Sequence, residues 1–147
     1  TRKESSAASD VYKRQERYTS IETYKQIISE DHEGSLEYFY FPKYIPVGFE
    51  VVDVILDKEI QYISFEKGAE YFCISQWINS TTVKTRIDTE NAEMEKIIIN
   101  DSEGFYTEEK DKQSIYLNMG NISVNIYGNI GKKEIFKLAE NLELLAR

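Results

Sequence analysis

His32 is the only histidine in the 147 residues, so any histidine-based dyad or histidine-containing zinc set would have to be built on it. It stands between Asp31 and Glu33 in the polar stretch Ser29-Glu30-Asp31-His32-Glu33-Gly34-Ser35, with no apolar neighbour to exclude water. That setting reads as a solvent-exposed loop histidine, and serine hydrolase and zinc hydrolase chemistries lose their usual base and ligands. Cys73 is likewise the only cysteine, which leaves no internal disulfide and no multi-thiolate metal site. Its surroundings, Tyr71-Phe72-Cys73-Ile74, are apolar, where a cysteine serves as a small hydrophobe.

Two glycine-containing loops suggest ligand chemistry and fail on spacing. Aligned on Gly104, an EF-hand loop needs an acidic first ligand and a terminal glutamate; the sequence has Ile99 and Lys110 there. The same residues read as a hairpin turn with Gly104 at positive φ. In Gly128-Asn129-Ile130-Gly131-Lys132, a phosphate-binding loop would need glycine at position 126 and serine or threonine at 133, where Ile126 and Lys133 stand. Carboxylate pairs such as Glu108 with Glu109, or Glu90 with Glu93, are the type used in acid/base hydrolysis. In a chain with 26 acidic residues such pairs arise by chance, and a solvated face accounts for them. No catalytic residue, metal site or cofactor is expected.

What remains is aromatic. Outside residues 1–15 the sequence carries every Phe, the one Trp and all the Tyr except Tyr12. Tyr62, Tyr71, Trp77, Tyr106 and Tyr116 fall on strand-like segments, and some must face away from whatever covers the sheet. Tyr62, Tyr71 and Trp77, placed across one hairpin, are the candidate binding residues. An exposed aromatic face could hold a peptide, a glycan or a lipid tail. Alternatively, Tyr38 to Phe49 covers that face and the rings are a second core.

The bulk numbers bound the partners. A formal net charge of −8 and a pI near 4.8 argue against nucleic acid, whose phosphates need clustered Lys and Arg. They argue equally against an anionic membrane surface. With 41% hydrophobic and 13% aromatic residues, the chain can bury a core of single-domain size.

The positioning elements follow from periodicity. Thr19-Ser20-Ile21-Glu22 is a capping box that opens a short helix through about Ile28, within a lead-in segment 16–41. Pro42, Pro46 and Gly48 make Tyr38 to Phe49 extended and irregular. Seven short β-branched or aromatic segments follow: Phe49–Leu56, Ile60–Glu66, Tyr71–Ile78, Met94–Ile99, Phe105–Glu108, Ser114–Met119 and Ile122–Tyr127. Turn residues separate them and no helix-length pattern intervenes, which predicts an antiparallel meander of about six to seven strands. A two-residue turn at Gly120-Asn121 pairs Met119 with Ile122, Leu117 with Val124 and Ile115 with Ile126, all on one face. From Gly131 a closing amphipathic helix carries Ile135, Leu138, Ala139, Leu142 and Leu145 on one stripe. The fold class is α+β: residues 42–147 form a single domain in which this helix packs on the sheet.

Residues 1–15 stand apart. Ser5 to Gln15 resembles a translated sequencing adaptor, so 1–15 reads as a non-native tail of a metagenomic sequence. Without it the chain has 14 basic and 24 acidic side chains, a net charge of −10.

From Pro42 to Leu145 the sequence resembles the domain-of-unknown-function 4367 family of mostly Gram-positive bacteria. The resemblance rests on Pro42-x-Tyr44-x-Pro46-x-Gly48-Phe49, then Asp88-Thr89-Glu90 before a strand, the Gly104 turn, the hairpin ending in Gly128, and Ala139-Glu140 in the closing helix. The family often has Trp where this chain has Tyr116. The resemblance implies an extracytoplasmic part of a bacterial membrane-anchored protein or lipoprotein, some members being joined to anti-sigma-factor-type domains in signalling. It supplies no catalytic residues. The expectation is a non-enzymatic sensing or binding domain for an unknown ligand or envelope protein, in contact with the membrane only through a missing N-terminal anchor. A secreted or lipoprotein carboxylate-dependent hydrolase and a structural envelope interaction module are the alternatives. A tight carboxylate pair in a deep cleft would favour the first of these, and a flat surface the second.

Overall fold

Alternation of apolar and polar residues at period two dictates strands with one dry and one wet face, and the computed structural model, which describes residues 37–56, 59–79 and 93–146, contains nine. They are β1 (Tyr38–Pro42), β2 (Glu50–Leu56), β3 (Ile60–Lys67), β4 (Glu70–Ile78), β5 (Glu93–Ile99), β6 (Ser102–Glu109), β7 (Lys112–Met119), β8 (Ile122–Gly128) and β9 (Leu142–Ala146). One helix, α1 (Lys132–Glu140), precedes β9. All seven segments read as strands from the sequence are strands. The fold is mostly antiparallel β, and its helical part is this single short C-terminal helix among the described residues. The expected helix at Thr19 to Ile28, the tail 1–15 and His32 lie outside them.

The pairing is not a simple meander. Seven strands form one sheet in the order β2-β3-β4-β8-β7-β6-β5, and β1 pairs with β9 in a separate two-stranded sheet. Two meanders, β2-β3-β4 and β5-β6-β7-β8, therefore meet along β4 and β8. β4 lies in the middle of the sheet and β5, the next strand in sequence, at its edge. Every pairing is antiparallel. The β7–β8 register is the one derived above: Met119 faces Ile122, Leu117 faces Val124 and Ile115 faces Ile126. Gly120, at φ 84, supplies the positive φ that opens such a two-residue turn.

The Gly104 expectation is corrected. The β5–β6 turn is made by Asn100 and Asp101, at φ 49 and φ 70, as in the mirror-image turns that match strand twist. Gly104 lies within β6, opposite Ile97 and Leu117. A Cβ there would come within 1.8 Å of the Tyr116 carbonyl oxygen, so it is glycine because two backbones approach closely.

The closing helix is shorter than its apolar stripe. It buries Ile135, Leu138 and Ala139 and stops at Glu140. The Asn141 amide donates to the Lys137 carbonyl at 2.7 Å and its backbone N–H to that of Leu138 at 3.2 Å, satisfying two helix-end acceptors. Leu142 and Leu145, expected on the helix, belong instead to β9, which pairs with β1 from Tyr38–Ala146 to Pro42–Leu142. Tyr38 to Pro42 is accordingly a regular strand, and Pro42 ends it.

Helix and two-stranded sheet cover the same face of the large sheet. Ile135 and Leu138 pack with Ile115, Leu117, Val124 and Ile126, and Phe39 and Phe41 of β1 join that core. Gln76, buried on the same face, clamps β1 with both ends of its amide. It accepts from Tyr40 N at 2.7 Å and donates to Tyr40 O at 2.8 Å, replacing the strand neighbour that Tyr40 lacks on that edge. Gln113 accepts from the Gly131 N–H at 2.8 Å and so holds the start of α1. The order-of-magnitude gain from burying Ile135 and Leu138 is about 1.5–3 kcal/mol each.

Candidate functional site

The alternation that sends Phe72, Ile74 and Gln76 into the covered face sends Tyr71, Cys73, Ser75 and Trp77 to the other. Register carries this across the sheet: Ser75 faces Tyr62 and Asn125, Trp77 faces Ser123, and Tyr116 faces Asn125 and Phe105. No described element lies over this second face. The alternative in which Tyr38 to Phe49 covers the aromatic rings is thereby corrected, because that segment packs on the opposite side, with α1.

Tyr62, Tyr71 and Trp77 share the open face, each half-buried, but they do not form one cluster. Trp77 and Tyr71 stand six residues apart on β4, roughly 20 Å. Trp77 instead joins Tyr116, with ring centroids 6.1 Å apart and planes 29° from parallel. Tyr116 joins Phe105 at 6.5 Å and 21°. The three rings form a row from β4 over β8 and β7 to β6, spaced as interacting aromatic pairs are. The row passes over Ser123, a small residue that is itself wholly buried.

A hydrogen-bond chain fixes the middle of the row. Ser123 donates to Asn79 Oδ1 at 2.6 Å, which leaves the Tyr116 hydroxyl, 2.9 Å from Ser123 Oγ, as the donor to it. Asn79 in turn donates to Gly120 O at 2.7 Å and to Asn118 Oδ1 at 3.3 Å. The row ends at a concavity of about 740 Å³ lined by Lys96, Ile98, Glu103, Phe105, Tyr116 and Asn118, a size within the range of small-molecule sites. Ile98 stands 71% exposed at its edge.

Tyr62 belongs to a second group. Cys73 Sγ donates to Ser64 Oγ at 3.5 Å, and Tyr62 Oη lies 3.3 Å from the sulfur. Tyr127 faces Cys73 across the β4–β8 ladder. The Tyr62 phenol is raised above its ordinary pKa by its hydrogen bond to Cys73, then by burial. The Tyr127 phenol is raised by burial first and by Cys73 second. Both stay protonated at neutral pH and serve as polar aromatic surface. Cys73 is buried, as expected, though beneath these phenols and not in the aliphatic core. Tyr106 lies on the covered face, 4% exposed, with Phe136 at 5.2 Å. Burial, followed by the nearby Glu108 carboxylate, pushes its phenol up to about 12.

Sequence reasoning missed Phe105 and Tyr127 and did not place Tyr116 beside Trp77. The signal was available for Tyr116 and Tyr127, since the final hairpin puts odd β7 and even β8 positions inward. It was absent for Phe105, whose side depends on the Lys110-Asp111 turn. Among the described residues, no group of three or more His, Cys, Asp or Glu side chains gathers where it could hold a metal ion. No described helix is long and apolar enough to cross a membrane.

A family model described as "Domain of unknown function (DUF4367)" matches residues 39–142. That span covers well over half of the chain, and the chain belongs to this family. Among curated proteins, none matches the sequence.

Proposed function

Starting from membership of a family without an assigned activity, we propose that this chain is a non-enzymatic ligand- or partner-binding domain that works through the open face of its seven-stranded sheet. The observation that carries the proposal is the row Trp77, Tyr116 and Phe105, left uncovered among the described residues and held by the Ser123–Asn79 hydrogen bonds. Aromatic side chains offer large contact area while losing little rotamer freedom, which is why they anchor binding surfaces. Contiguous exposed apolar surface, unlike singly scattered rings, marks interaction sites.

The setting we propose is extracytoplasmic, on a membrane-tethered bacterial protein, in keeping with what the resemblance implies. A domain that reports on material outside the membrane needs a rigid, ligand-accessible face and no turnover. A sheet closed on one side and open on the other meets that need.

Because Trp77 is the only tryptophan, its fluorescence tests the proposal directly. A red-shifted emission readily quenched by acrylamide is the expected result. A blue-shifted Trp77 that acrylamide cannot reach would mean that something covers the row, and the proposal would fail.

A further inference from the structure

The centre of the open face is not charged in the way a solvated sheet face of this chain should be; its carboxylates and Lys96 lie toward the β2–β3 and β6–β5 edges. β4, β8 and β7 place eleven residues on it, and only one, Lys112 at the first position of β7, is charged. With 30% charged residues overall, about three would be expected even if burial did not already concentrate charge on wet surfaces. In place of charge there is an interleaving of rings with neutral hydrogen-bonding side chains: Trp77 and Tyr116 beside Ser75, Asn125 and Asn118. From this pattern we infer, building on the binding role proposed above, that the ligand of the open face is a neutral oligosaccharide.

Elimination by chemistry leads there. A peptide that docks by adding a strand gains its affinity from unpaired backbone, whereas β4, β8 and β7 are interior strands paired on both sides and have none to offer. An acyl chain needs contiguous apolar area, and laying one here would strip water from Ser75, Asn118 and Asn125 without replacing their hydrogen bonds. A polyanion needs clustered basic groups; the face has Lys112 at one end and, at the other, Lys96, which pairs with Phe105 and lines the same concavity as Glu103. A pyranose ring has the complementary structure. Its C–H-bearing face meets the electron-rich face of an aromatic ring, and its equatorial hydroxyls project sideways to amide and hydroxyl side chains.

The geometry also favours an oligomer over a single sugar. Three rings lie in a row, and the concavity at Phe105 extends it with Asn118, Lys96 and Glu103 at its walls. Asn118 accepts from Asn79 through Oδ1, so that bond does not use its Nδ2 donors. A carboxylate and an amide side by side are suited to gripping vicinal hydroxyls.

Trp77 fluorescence of the full 147-residue chain, titrated with chitotetraose and with cellotetraose, tests this. A tetraproline peptide and phosphatidylcholine vesicles are run as competing probes. The expected result is a saturable shift with at least one of the two sugars, weakened tenfold or more by Phe105→Ala and by Asn118→Ala in protein whose melting curve shows it folded. Undiminished sugar binding by both variants would overturn the assignment, because the row would not be the site. A saturable response to the peptide or the vesicles alone would overturn the saccharide class while the binding face stands. No response to any probe from a Trp77 open to acrylamide would do the same. No response from a protected Trp77 would remove both readings.

Discussion

The two faces of the seven-stranded sheet are built from the same strands, residue by alternating residue, yet they differ in kind. The covered face is aliphatic and phenylalanine-rich: Phe65, Phe72, Ile115, Leu117, Val124 and Ile126 are all fully buried. Two of its polar side chains are structural: Gln76 clamps Tyr40 and Gln113 holds Gly131. The open face has its rings half-exposed and its polar groups tied to one another, in Tyr116 to Ser123 to Asn79 and in Ser114 to Asn125 at 2.8 Å. The covered-face bonds run from a side chain to the backbone of another layer. Those of the open face run from side chain to side chain within one surface, which is what a preorganised binding site requires.

Substitutions can test how far this contrast holds, beginning where the largest effect is expected. Leu138 is fully buried between α1 and the covered face, so Leu138→Ala should cost about 2–5 kcal/mol in urea unfolding, transfer and cavity contributions together. A cost under about 0.5 kcal/mol would show that α1 does not close the sheet. On the open face, Tyr116→Phe keeps the ring and removes one hydrogen bond to a buried serine. The expected cost is smaller, about 0.5–1.5 kcal/mol. If stability does not change, the Ser123–Asn79 chain is not what orients the row.

How much of this was legible in the sequence depends on range. The strands were, because alternation is local, and so was the β7–β8 register, because Gly120 fixes the turn from which pairing is counted. Sheet order was not: nothing in β4 or β8 marks them as neighbours, and nothing in β5 marks it as the far edge. The run Leu142-Glu143-Leu144-Leu145-Ala146 satisfies helix and strand periods alike. Its fate is decided by the Asn141 cap and by β1 as a partner, a pairing across the whole domain. Trp77, Tyr62 and Tyr71 were expected near one another across a hairpin; they share a face, but Trp77 packs with Tyr116 and not with Tyr71. The row itself was hidden, because it joins β4 to β6 across two intervening strands and rests on the Lys110-Asp111 turn. Lys110 has φ 53 there, a conformation lysine seldom signals.

The smallest expected effect contrasts most sharply with Tyr116, because it is the same substitution at the rim of the covered face. Tyr44 lies in the loop after β1, with Lys137 of α1 4.8 Å above its ring. Its hydroxyl is buried and has no hydrogen-bond partner among the described residues. Tyr44→Phe keeps the ring and its cation–π contact and removes an unsatisfied polar atom, so stability at neutral pH should change by less than about 0.5 kcal/mol, toward a gain. The pH dependence carries a second test. Burial, then the Glu134 and Glu140 carboxylates, pushes the Tyr44 phenol up to about 12 from the ordinary 10.0. Between these values the unfolded chain has given up a proton that the folded chain keeps. The unfolded state binds fewer protons, so stability falls as pH rises through this window and is fully present below pH 10. Tyr106, also near 12, adds a fall of the same sign. Urea unfolding at pH 7 and pH 11 should therefore show Tyr44→Phe losing less stability than the parent between the two, while Tyr116→Phe is already weaker at pH 7. A neutral-pH loss above about 1 kcal/mol would mean that the Tyr44 hydroxyl has a partner in solution. An unchanged loss at pH 11 would mean that the phenol is solvated, and that the seal of the covered face does not extend to the Tyr44 loop.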